Sequence, residues 1–241
     1  MKNFITIKMI LIFIGLLSIS CSSDQENKQV SATKKTMLKT GATNPENPFN
    51  PYDLAGRAHS EILDAYFDTA ALPETLEQVI ARIGLVSLSN NTLQEFSATP
   101  GSLISTARAQ YILTQPQNAI PSIFNQVACS ERARNSFKNF SESLVSLCAT
   151  EQNYNVIYKY ISDYEALILN DALLTEADKK LILTSTSIAR YAASKKRRPK
   201  RNMDTDWEIN IFHVAGSIEG YTQSPATAVT TSLCLGIAAN K

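Results

Sequence analysis

Apolar positions recur at helical spacing through most of the chain. From Asp53 to about Ala70, Leu54, Ala58, Ile62, Ala65 and Tyr66 fall near one face, with Asp53 placed to cap the helix. Leu76, Val79, Ile80 and Ile83 repeat the pattern between Pro73, which predicts a start, and Gly84, which predicts an end. Pro100-Gly101 punctuates the chain ahead of a helix through Tyr111 and Leu113, and Pro121 falls where a short helix would begin between Pro116 and Cys129. Behind a Ser130 cap, Phe137, Phe140, Leu144, Leu147 and Cys148 line one stripe. Tyr154, Ile157, Ile161, Tyr164 and Ile168 alternate three and four apart, the spacing of a packed seam. Thr175 and Asp178 have capping-box spacing, and Leu181, Thr184, Ile188 and Tyr191 continue from them. A helix from Asp204 to about Tyr221 follows, and Ser224-Pro225, an N-cap and an N1 proline, opens an Ala/Thr-rich last helix.

These starts, near 53, 73, 100, 130, 151, 175, 204 and 224, are unevenly spaced and carry no repeated signature, which argues against a helical solenoid. The expected fold class is all-α, a compact multi-helix bundle of about seven to eight helices. Eight glycines and nine prolines are too few turn residues for a β-sandwich of this length. Gly216 and Gly220 bring small residues to one face of the helix before last, so close backbone packing against the final helix is expected.

The front of the chain has a different pattern. Lys2 and Lys8 lead into an uncharged apolar run from Met9 to Ile19, too short for a membrane-spanning helix, which needs about 20 residues, but of the length of an export signal's core. Residues 22 to 50 are polar, with Pro45 and Pro48 breaking any helix. The organisation read from this is a signal peptide over 1–20, a flexible tether over 21–50 and a single helical domain over 51–241. Such a tether reaches roughly 30 Å.

Leu17-Ser18-Ile19-Ser20-Cys21 resembles the lipobox of bacterial lipoprotein precursors. The resemblance covers residues 1–21 only. It implies that Cys21 carries diacylglycerol, that the chain is cut before it, and that the new amine is acylated, with palmitate among the chains. The partner it implies is a membrane, reached through the acyl chains on Cys21. Ser22 after the cysteine points to the outer membrane; Asp24 and Glu26 resemble the acidic signals of surface-displayed lipoproteins, and the periplasmic face and the cell surface both stay open for the domain. Asn50-Pro51-Tyr52-Asp53 with Gly56 and His59 resembles the opening of some uncharacterised secreted helical proteins, and implies no activity.

Removing the signal takes two of the 23 basic residues and none of the 22 acidic ones, leaving the mature chain at a formal net charge of −1. That balance gives no reason to expect nucleic acid as a partner. If Cys21 is lipidated, Cys129, Cys148 and Cys234 remain, an odd number without CxxC spacing. They are expected as small core hydrophobes, with a Cys129–Cys148 bridge as the alternative. No cofactor and no metal are expected.

Candidate chemistry is sparse. His59 lacks a second histidine at metal-ligand spacing and is expected to be solvated or capping. Asp206, Asn210, His213 and Ser217 fall at i, i+4, i+7 and i+11, one polar stripe opposite Trp207, Ile211, Val214 and Ile218. They are the catalytic candidates, although an exposed polar face gives the same pattern. Lys195, Lys196, Arg197, Arg198, Lys200 and Arg201 form a basic cluster, the candidate contact for anionic lipid or an acidic envelope partner. Signatures of nucleophilic hydrolases and phosphate loops are absent from the sequence. The expected function is a non-enzymatic envelope lipoprotein whose helical domain binds a partner or ligand. The alternatives are a hydrolase-type enzyme using His213 with Asp206, or an immunity or resistance lipoprotein.

Overall fold

Residues 181–193 and 226–237 are buried at every position. A helix without a wet face must sit inside the molecule, and these two stretches form its centre. The computed structural model describes residues 44–68, 71–97, 102–195 and 211–240, all within one compact unit, Gly41–Lys241. They form α1 (Asp53–Phe67), α2 (Leu76–Leu88), α3 (Asn91–Phe96), α4 (Thr106–Thr114), α5 (Pro116–Gln126), α6 (Glu131–Thr150), α7 (Tyr154–Asn170), α8 (Glu176–Ser194), α9 (Ile211–Tyr221) and α10 (Pro225–Ala239). No strand occurs among the described residues, so the fold is all-α, and no described helix is long and apolar enough to cross a membrane.

The central helices α8 and α10 divide the packing between them. α1 and α7 pack on α8, α2 packs on α10, and α9 lies against both. Small residues govern the α9–α10 contact, as expected. A Cβ on Gly220 would lie 2.2 Å from the Thr227 carbonyl oxygen, and one on Gly216 would lie 2.9 Å from Ser232 Cα. Side chains at either position would push the two backbones apart. On the other side, Ile157, Ile161 and Ile168 of the seam are buried, while Phe140 stacks on Tyr164 with ring centroids 4.0 Å apart.

Several expected helix boundaries appear as caps. Ser130 Oγ accepts from the Ala133 amide, Thr175 and Asp178 form a reciprocal capping box, and Ser224 Oγ accepts from the Thr227 amide. Others differ for identifiable reasons. α2 starts at Leu76 rather than Pro73, because Thr75 and Gln78 form a second capping box. It also runs through Gly84, where a Cβ would meet Leu103 Cδ1 at 2.6 Å. That glycine admits the segment before α4 instead of ending the helix. α3, capped by Asn90, has no counterpart in the sequence reading. Pro121 lies inside α5, whose N1 residue is Pro116; the carbonyl that Pro121 leaves without a donor belongs to exposed Gln117. Cys129, Cys148 and Cys234 are thiols, so the alternative Cys129–Cys148 bridge is not formed.

The domain also begins earlier than residue 51. Asn47 and Asn50 are only 6% and 3% exposed, so the last part of the expected tether is built into the packed structure.

Candidate functional site

Both histidines are wholly buried, so His59 is neither solvated nor at a helix cap and the part of the stripe that carries His213 is not an exposed face. His59 on α1 and His213 on α9 approach edge to face, with ring centroids 6.2 Å apart. α9 packs against both central helices, so His213 and Ser217 of the polar stripe turn inward instead of to water. Gly236 of α10 makes room there, since a Cβ on it would lie 2.2 Å from His213 Nε2. Ser217 is likewise buried, and its hydroxyl donates to the Val214 carbonyl at 2.7 Å. Asp206 and Asn210, the other members of the stripe, lie outside the described residues. Neither ring nitrogen of His59 has a hydrogen-bond partner. Burial first, then His213 and Lys195, hold its imidazole well below the ordinary histidine range. Among the described residues no group of three His, Cys, Asp or Glu could hold a metal ion.

Of the basic cluster, Lys195 alone is described, and it is already engaged. Its ammonium sits 2.8 Å from both carboxylate oxygens of Asp64, joining the end of α8 to α1. Lys196, Arg197, Arg198, Lys200 and Arg201 lie outside the described residues, as does Cys21.

The densest polar arrangement was not among the sequence candidates. Asn47, Asn50, Asp53, Gly56 and His59 recur every third residue, and all except Gly56, which carries no side chain, bury a polar one. Asn47 and Asn50 each precede a proline, and each accepts with its own Oδ1 from the amide two residues on, a turn favoured by Asn. Their Nδ2 groups are thereby aimed at Glu165 of α7, donating to Oε2 at 2.6 Å and to Oε1 at 2.8 Å. Thr186 Oγ1 donates to Oε1 at 2.9 Å. Arg190 of α8, also wholly buried, reaches Asp53 Oδ1 at 2.5 Å and Glu165 Oε1 at 3.3 Å through one nitrogen, Nη2, and donates from Nη1 to the Pro45 carbonyl. Tyr191 donates to Asp53 Oδ2 at 2.9 Å.

Two carboxylates and one guanidinium are thus buried together. Burial pulls the Arg190 pKa down, but the charges of Glu165 and Asp53 outweigh it and raise the guanidinium above its ordinary value. Asp53 therefore does not cap α1 as expected: Tyr52 takes that position, and the Asp53 carboxylate serves the cluster. With the carboxylates bonded to internal donors, the chemistry of this site is to fasten residues 45–53 to α7 and α8. Two signals for it stand in the sequence: three Asn-Pro steps at 44–45, 47–48 and 50–51, and Glu165 on the same stripe as Ile161 and Ile168.

An open concavity lies elsewhere, between α2, α3 and α10. It encloses about 620 Å³ and is lined by Ala81, Gly84, Leu85, Ser87, Leu88, Leu93, Gln94, Ser97, Leu103, Ala226 and Thr230. None of these side chains is charged. Ser87 and Thr230 spend their hydroxyl donors on backbone carbonyls, at 2.6 Å to Ile83 and 3.2 Å to Thr227, and Gln94 gives one of its two amide donors to Leu88 at 2.8 Å. Leu85 and Leu88 at the rim are 67% and 64% exposed, while Ala226 and Thr230 in the floor are buried. A volume of this size with apolar walls falls within the range of small-molecule sites.

The chain matches no family model, no curated protein and no solved structure.

Proposed function

We propose that this chain is a cell-envelope lipoprotein, anchored to the outer membrane through acyl chains on Cys21, whose helical domain binds a ligand or partner and performs no chemistry on it. The groove between α2, α3 and α10 is the observation that carries the binding part: it is concave, roomy and apolar, and its lining has no group that takes up or releases a proton at neutral pH. The lipobox-like segment supports the anchor. The rest of the basic run, Lys196 to Arg201, supports a second contact with anionic lipid or an acidic envelope protein.

Two measurements test this reading. In cells supplied with an alkyne fatty acid, the protein is expected to take up label and to sediment with the outer membrane, and Cys21→Ala is expected to abolish both. A photo-reactive residue at Leu85, on the exposed rim, is expected to give a reproducible adduct. The anchor reading is wrong if the label survives Cys21→Ala; the binding reading is wrong if irradiation yields no adduct.

A further inference from the structure

We propose that the α2–α3–α10 groove holds a single long acyl chain of a monoacyl lipid, inserted tail first with its head left in solvent. This deepens, and rests on, the binding reading given above. The lining sets the chemistry. A charged ligand would lose water and find no charged side chain in return, while the hydroxyls of buried Ser87 and Thr230 are already bonded to carbonyls. A hydrocarbon chain gives up no hydrogen bond on entering, and it covers leucines that otherwise face water at the rim.

The volume sets how many chains enter. An apolar cavity of about 150 Å³ takes a six-carbon ring, and at that scale about 620 Å³ has room for roughly twenty-five carbon atoms. One long acyl chain fits and a pair does not, so the ligand is monoacyl rather than a diacyl bilayer lipid. The shape depends on Gly84, because a side chain there would displace Leu103, whose Cδ1 lies 2.6 Å from the position of its Cβ.

The test uses the full chain reconstituted in phosphatidylcholine vesicles and palmitic acid carrying a terminal diazirine. After irradiation, digestion and mass spectrometry, label is expected on peptides covering Leu85 to Leu103 or Ala226 to Thr230. Excess unlabelled palmitate and the variants Leu85→Asp and Leu88→Asp are each expected to reduce it at least tenfold. Both leucines are exposed, so these variants keep the fold, and their melting temperatures check that they do. Label scattered over the surface, or label unaffected by competitor and variants, overturns the proposal. The photo-reactive residue at Leu85 separates the two readings. Capture of a protein there would overturn the acyl ligand and leave binding standing, whereas no adduct with either lipid or protein would overturn both.

Discussion

Arg190 and Asp53, 137 residues apart in the chain, meet in the interior with Nη2 2.5 Å from Oδ1. The same Nη2 lies 3.3 Å from Glu165, so one guanidinium joins α1, α7 and α8 at a single buried point. Removing a partner from such a cluster strands a charge away from water, which costs more than the intact cluster contributes.

Arg190→Met is therefore expected to destabilise the domain by about 3–5 kcal/mol, read as a lower urea midpoint. Arg190→Lys should recover little of this, because an ammonium lacks the planar fork that reaches Asp53, Glu165 and the Pro45 carbonyl together. A loss below about 1 kcal/mol for Arg190→Met would show that the cluster holds nothing together.

A chain beginning at residue 44 and one beginning at residue 51 should differ sharply in stability. The shorter chain lacks Asn47 and Asn50, and so deprives wholly buried Glu165 of two donors. Each stranded polar group costs about 1–3 kcal/mol, so the urea midpoint should fall markedly. Equal midpoints would return the boundary to residue 51.

Acidification should weaken the fold through His59. Its folded pKa lies well below the ordinary value, while the unfolded chain titrates near about 6.5. As the pH drops through that value, the unfolded state takes up a proton that the folded state refuses. Stability is then lost by up to about 1.4 kcal/mol per pH unit for this group. His59→Leu, which fills similar space without a titrating ring, should flatten the stability profile between pH 7 and 5.5. An unchanged slope would mean that other groups set the acid sensitivity.

Glycine-to-alanine substitutions should separate a rigid contact from a yielding one. At Gly220 the obstacle is the Thr227 carbonyl, backbone that cannot turn aside; at Gly84 it is the end of the Leu103 side chain. Gly220→Ala is expected to cost about 1–3 kcal/mol and Gly84→Ala much less, measured by thermal melts of the two variants.

The bundle was legible because its signals are local. The Ser130, Thr175 and Ser224 caps act within one turn, and the seam through Ile157, Ile161 and Ile168 shows its period directly. Glu165 shows what a local reading misses. It sits on that seam at helical spacing, but its meaning depends on Asn47 and Asn50, more than a hundred residues earlier. Asn47-Pro48 reads as a helix breaker in a tether, and Asn50-Pro51 as the opening of the domain, because nothing nearby in sequence reveals what the two asparagine side chains reach.

The sequence alone determined that the fold is helical, and several of the places where helices begin, since periodicity and capping depend on neighbours in the chain. Tertiary structure decided which polar faces are wet. His213 and Ser217 lie inside because α9 packs against α8 and α10, and Asp53 faces Arg190 because α1 packs on α8. It also assembled the apolar groove from α2, α3 and α10, elements that no local pattern links. Burial belongs to the packing of whole helices on one another, and a helix's own spacing cannot say which of its faces a distant segment will cover.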